Sequence, residues 1–129
     1  MEFPENLKYT KDDTWIRVEG EKATIGITAF ALGQMGDILQ LEMPQIGVSI
    51  RRSAVMGSFE SLTTLRDLFA PVSGQVIAVN TDLPAHPSQI NEEPYGSGWM
   101  VTLKITDPSE LGTLLDAGQY SSMLSSYTN

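Results

Sequence analysis

The side chains able to support chemistry are few, and their spacing fits no catalytic set. The 129-residue chain has one histidine, His86, and no cysteine. Without cysteine there is no thiolate nucleophile, no thiolate metal ligand and no disulfide. A single histidine cannot form a His–His metal site, and the neighbouring carboxylates of Glu92 and Glu93 diverge because they are adjacent. The sequence therefore predicts no catalytic residue, no metal site and no enzymatic activity of its own.

A compact group of polar residues does lie between two apolar runs, within the stretch 55–80. The polar group consists of Glu60, Ser61, Thr63 and Thr64. Two strands that close on a short polar turn are the simplest interpretation. A second turn at 71–74 and a third strand at 75–79 follow, since Pro71 fixes one dihedral and Gly74 permits another. A hairpin tip held in solvent on rigid strands is suited to presenting a group to a partner.

The rest of the chain predicts the scaffold that holds this hairpin. Short β-prone segments separated by Gly/Pro turns are expected at 7–9, 14–18, 23–27, 38–43 and 99–105. A short helix over 29–35 is capped by Thr28, another begins at Pro108 after Asp107, and a last one follows a break at Gly118. The segment 81–93 is expected to be a loop with one helical turn. Many short strands with peripheral helices indicate a mainly β sandwich or flattened barrel, here as one domain over residues 1–129.

Composition narrows the classes of partner. The formal net charge is −8 and the pI about 4.4, which argues against nucleic acid and anionic membranes as partners. No apolar run reaches the length of a membrane span, and the first residues lack the regions of a signal peptide. A cytoplasmic location is therefore expected.

The hairpin and its surroundings carry a family resemblance. Between residues 57 and 80 the resemblance rests on Gly57, Glu60, Ser61, Asp67, Pro71, Val72, Ser73, Gly74, Val76 and Asn80. Outside it, 7–10, 23–28, 35–38, 90–96 and 98–100 match in the same order. Together they resemble the H-protein of the glycine cleavage system, a relative of lipoyl and biotinyl carrier domains. The resemblance implies a barrel-sandwich hybrid with a short internal helix and C-terminal helices, and a lipoyl-type hairpin at about 55–80.

The resemblance also implies a cofactor, and here the sequence departs from it. Family members attach lipoate to a hairpin lysine through an amide, and the arm then visits the enzymes of glycine cleavage. The corresponding residue in this chain is Thr63, which has no amine, and no lysine occurs between residues 22 and 104. The resemblance assigns Glu60, Ser61 and Asp67 to the flanks of the attachment site, but no lipoate is expected.

Two further departures point the same way. The family usually has His-Glu where this chain has Asp13 and Thr14, and often a histidine at Gln34. Those side chains are associated with the cleft that shelters the loaded arm. Their loss together with the lysine favours a non-catalytic binding or regulatory module without lipoate.

Such a module keeps the docking surface of the family. Its partners would be glycine cleavage enzymes or a lipoate ligase, recognised through the hairpin flank and the acidic loop Asn91, Glu92 and Glu93. The alternative is a lipoyl carrier that shuttles the aminomethyl group, with the lysine replaced in this copy.

Overall fold

The structure, a computed structural model, describes residues 2–128, with side chains through residue 126. Its nine strands form two antiparallel sheets. Six of them, in the order β1-β2-β3-β9-β8-β5, make the larger sheet: β1 (Lys8–Tyr9), β2 (Thr14–Glu19), β3 (Lys22–Ile27), β5 (Ser49–Ile50), β8 (Gly74–Val79) and β9 (Val101–Ile105). The other three, in the order β4-β6-β7, make the smaller one: β4 (Gln40–Glu42), β6 (Val55–Glu60) and β7 (Leu65–Phe69). We call the smaller one the hairpin sheet.

The main core lies between the inner faces of the two sheets. In β9, Val101, Leu103 and Ile105 are buried while the residues between them are more exposed, which is the period-2 pattern of a half-buried strand. From the hairpin sheet, Phe59 and Leu68 enter the same cluster. The predicted mainly β architecture with a short internal helix and C-terminal helices is confirmed. No helix within residues 2–128 is long and apolar enough to cross a membrane.

The internal helix α1 (Ala29–Met35) has the predicted bounds and the predicted cap. The Thr28 hydroxyl accepts a hydrogen bond from the Ala31 amide at 3.4 Å. Gly36 ends the helix with φ +82°, a conformation that disfavours residues with a Cβ. The helix buries Leu32 and Met35, three residues apart on one helical face, against the main core.

The segment 81–93 contains the expected helical turn as α2 (Ser88–Glu92). Pro108–Thr113 forms a 3-10 helix, and the Asp107 carboxylate accepts from the Ser109 amide at 3.1 Å. The predicted helix break at Gly118 was wrong. This glycine lies at the start of α3 (Ala117–Thr128), because Asp116 and Gln119 form a reciprocal pair of side-chain to backbone hydrogen bonds at 2.8 and 2.9 Å. This is a capping box, which begins a helix.

A second apolar cluster joins the two ends of the chain. It consists of Phe3, Leu7, Tyr9, Trp15, Tyr120 and Leu124. The rings of Tyr9 and Tyr120 stack at a centroid distance of 4.9 Å with an interplanar angle of 5°. Trp15 packs on the Cα of Gly26 so closely that a Cβ there would lie 2.6 Å from the indole. The cluster therefore holds α3 against β1 and β2.

Two phenols of this cluster predict a loss of stability at alkaline pH. Burial raises the pKa of Tyr9 and of Tyr120, and for Tyr120 the hydrogen bond to Asp13 raises it further. An unfolded tyrosine ionises at about pH 10, whereas these two keep their protons in the folded protein. The unfolded state therefore binds fewer protons above that pH, and the free energy of unfolding falls as the pH rises.

We expect the urea midpoint to decrease steadily above about pH 10. The ultraviolet absorbance of tyrosinate should appear together with unfolding rather than before it. Tyr9→Phe should reduce the slope of stability against pH. An unchanged slope in this variant would show that Tyr9 does not contribute to the alkaline loss of stability.

Candidate functional site: the hairpin tip

The hairpin between β6 and β7 is the most prominent candidate site. The two strands pair with Glu60 opposite Leu65, so residues 61–64 form the tip. The Ser61 amide donates to the Thr64 carbonyl at 2.9 Å and closes the turn. Leu62 is 87% exposed, and Thr63 is also exposed. The structure thus places residue 63 in the loop that joins two paired strands.

Close packing beneath the hairpin fixes its direction. At Gly57 in β6, a Cβ would lie 2.3 Å from the backbone oxygen of Glu42, so only glycine lets β4 approach this closely. On the inner face, Phe59 and Leu68 are 1% and 0% exposed. The tip is therefore mounted on a rigid base rather than on a mobile loop.

An ion pair also ties β7 to the loop before β2. The Arg66 guanidinium lies 3.2 Å from one carboxylate oxygen of Asp13 and stacks over the Phe59 ring at 5.8 Å. The other oxygen of Asp13 accepts from the Tyr120 hydroxyl at 2.6 Å. Tyr120 in turn lies 2.8 Å from the Thr28 hydroxyl, which caps α1. We call Arg66, Asp13, Tyr120 and Thr28 the buried network; the last three are buried, and the Arg66 side chain is partly exposed.

In the sequence, Asp13 stands out only as a departure from a family pattern. The structure shows that it links the hairpin, α1 and α3. Asp13 has φ +65°, a left-handed conformation that aspartate adopts more readily than most residues. The only local hint of this left-handed conformation is that Asp13 follows turn residues at 11–12. The pairing with Arg66, 53 residues away, has no signal in the sequence.

The residues predicted for the hairpin flank have different environments. Glu60 is half-buried, Ser61 is 5% exposed and Asp67 is exposed, opposite Ser58. Ser61 is thus a turn residue, and Glu60 and Asp67 remain available to a partner. Their role in recognition stays a prediction.

The three residues predicted for the acidic loop also differ in their environments. Glu92 and Glu93 are exposed. The Asn91 side chain is instead bonded to the segment after α1, where it accepts from the Ile38 amide at 2.9 Å and donates to the Gly36 carbonyl at 3.0 Å. Residues 2–128 hold no group of three or more His, Asp and Glu side chains placed to bind a metal ion, and His86 is exposed in its loop.

We expect Asn91→Ala to destabilise the protein by about 1–2 kcal/mol, because it leaves the Ile38 amide and the Gly36 carbonyl without these partners. Asn6→Ala, at an exposed asparagine, is the matched control and should change stability little. Urea denaturation measures both. Equal urea midpoints for the two variants would mean that the Asn91 hydrogen bonds do not contribute to stability.

Comparison with known proteins decides the family. The family model "Glycine cleavage H-protein" matches residues 7–127. The chain belongs to the glycine cleavage H-protein family. The glycine cleavage system H proteins of Brevibacillus brevis and Staphylococcus carnosus are 44% and 46% identical to it over 124 residues, covering 96% of this chain and 98% of each of theirs.

The fold agrees with this assignment. The crystal structure of a glycine cleavage system H protein from Mycobacterium marinum superposes with a TM-score of 0.88 at 32% identity, over 95% of this chain and 99% of that one. This confirms the predicted H-protein architecture, the barrel-sandwich hybrid of lipoyl-type domains. The family assignment also agrees with the prediction that the chain is not an enzyme.

The family cofactor does not fit the tip of this chain. Lipoate is held as an amide of a lysine, and the nearest polar contact of Thr63 is the hydroxyl of Thr64, 3.4 Å away. A hydroxyl offers an ester at best, on a side chain too short to act as a swinging arm. Arg66 is the nearest cation in sequence, but its guanidinium stays protonated and is paired with Asp13. Residues 61–64 of the tip therefore offer no amine, and the assignment of Thr63 to the attachment position of the family stays a prediction.

Proposed function

We propose that this H-protein is a non-catalytic binding module that presents its hairpin to proteins of glycine cleavage without carrying lipoate. The observation that supports this most directly is the exposed Thr63 at the tip of an otherwise intact hairpin. The scaffold keeps the close packing at Gly57 and the paired strands. A binding role needs this scaffold, whereas a carrier role also needs an amine.

The partners proposed are those that handle an H-protein: a lipoate ligase or the enzymes of glycine cleavage. By occupying their H-protein site without being modified, the module would regulate the access of a loaded carrier. Glu60 and Asp67 on the hairpin, and Glu92 and Glu93 in the loop, are the proposed recognition residues. Their charge fits basic surfaces on the partners, since complementary charge speeds association and selects partners.

The alternative is a lipoyl carrier in which lysine has been replaced at this one position. The high identity to named H proteins is in its favour. Against it stand Leu62 and Leu65, two large exposed side chains on either side of the expected attachment point.

Intact-mass measurement tests the proposal. The protein is co-expressed with a lipoate ligase and lipoate, beside an H protein that has the lysine as a positive control. We expect the control to gain one lipoyl group and this protein to keep its unmodified mass. A lipoyl adduct on this protein would refute the proposal.

A further inference from the structure

The outer face of the hairpin sheet, opposite the core, carries an open groove, and Glu60 is the one proposed recognition residue that lines it. Its volume is about 460 Å³. It is lined by residues of β4 and β6 and by the first residue of β7. Pro84, in the loop between β8 and α2, also lines it. Leu39, Leu65 and Pro84 are among its apolar residues, and Glu42 and Glu60 are its two carboxylates. We call it the outer groove.

Two leucines in this groove are exposed to an unusual degree. Leu39 is 51% and Leu65 is 64% exposed. The Leu39 amide donates to the Glu60 carbonyl at 2.8 Å, which holds this leucine beside the end of β6. Glu60 and Leu65 face each other across the hairpin. Leu39 and Leu65 line the same groove, and exposed apolar groups gathered in one groove are of the kind that marks protein–protein contacts.

The charge around these leucines has one sign. None of the eight lysines and arginines of the chain lines the groove, and Arg66 is directed towards Asp13. Glu42 and Glu60 are thus not neutralised by cations in the groove lining, in a protein of net charge −8. An anionic ligand such as a fatty acid would be repelled. A second copy of this chain would bring the same acidic face.

We infer that the outer groove binds a segment of a partner protein in which one or two aliphatic side chains are flanked by lysine or arginine. The aliphatic groups pack on Leu39 and Leu65, and the cations pair with Glu42 and Glu60. This inference rests on the proposed function and adds to it the chemistry of the partner's contact. It also explains why leucines stand at positions that solvent would otherwise disfavour.

The test uses the whole protein and a synthetic probe of known composition. The probe is an amphipathic peptide with leucine on one face and lysine on both flanks. One matched peptide has glutamate for lysine, and another has serine for leucine. Titration is followed by the backbone amide resonances of the ¹⁵N-labelled protein. We expect shifts concentrated at residues 39–42 and 58–65 with the first peptide only, weakening as salt is added.

Paired variants locate the contact. Leu39→Ser with Leu65→Ser, and separately Glu42→Gln with Glu60→Gln, should each weaken binding at least about tenfold, in the range of lost interface contacts. The controls are Ile46→Ser with Val48→Ser and Glu19→Gln with Glu21→Gln, all at exposed positions outside the groove. They remove the same chemistry elsewhere and should bind as the unchanged protein does.

Several results would overturn the inference. These are shifts spread over carboxylates throughout the surface, equal losses in the control pairs, or no shifts with any peptide. Self-association that only the groove variants abolish would assign the face to a second copy instead. None of these results bears on lipoylation, so failure of the groove and failure of the proposed function are distinguished.

Discussion

Replacing Thr63 with lysine is expected to convert this protein from one that a lipoate ligase ignores into one that gains one lipoyl group per chain. The side chain at 63 is exposed and its hydroxyl lies 3.4 Å from the Thr64 hydroxyl, so a lysine there disturbs no buried packing. It supplies the missing amine nucleophile. The hairpin already places this position between β6 and β7, the strands that carry Glu60 and Asp67.

The matched control is Thr64→Lys, which puts the same charge on the next exposed residue of the tip. Intact mass after co-expression with the ligase separates the two, and only Thr63→Lys should be modified. If Thr63→Lys stays unmodified while a lysine-bearing H protein is modified beside it, the ligase no longer recognises this hairpin. Leu62→Val and Leu65→Ala in the Thr63→Lys background would then show whether these leucines are the reason.

Replacing Asp13 with alanine is expected to destabilise the protein by about 3 kcal/mol and to lower its melting temperature by about 10 °C. The change removes the carboxylate from the buried network, so that Arg66 loses its partner and the Tyr120 hydroxyl keeps only Thr28. It also forces alanine into the left-handed conformation that aspartate tolerates. Each of these effects lowers the free energy of unfolding.

Asp12→Ala is the matched control, because it removes the neighbouring carboxylate, which is only half-buried. Thermal unfolding of the two variants should differ by most of the predicted shift. Asp13→Asn keeps the backbone preference and most of the hydrogen bonding, so it should fall between them. If Asp13→Ala is as stable as Asp12→Ala, the buried network contributes nothing to the fold.

Local sequence was sufficient for the hairpin. The apolar runs around Glu60 and Ser61, followed by the turn at Pro71 and Gly74, predicted two strands, and β6 and β7 lie where expected. The helix 29–35 was equally predictable, since Thr28 and Gly36 mark both of its ends. In these segments the propensity of neighbouring residues and the tertiary packing favour the same conformation.

Local sequence was insufficient where distant residues decide. A strand was expected over 38–43, but β4 is limited to Gln40–Glu42 and Leu39 faces solvent. The residues of the capping box, Asp116 and Gln119, are visible in the sequence, but Gly118 between them led to the prediction of a helix break. The pairing of Arg66 with Asp13 depends on the packing of β7 against the loop before β2, which no window of sequence contains.

The stacking of Tyr9 on Tyr120 has a consequence for biosynthesis. A ribosome makes Tyr9 more than one hundred residues before Tyr120 and Leu124, and the aromatic cluster cannot close until these two have been made. During that interval Phe3, Tyr9 and Trp15 lack the helix that covers them. We therefore expect nascent chains stalled before residue 117 to be bound by chaperones and cleaved readily by proteases, and chains released with α3 present to be protected.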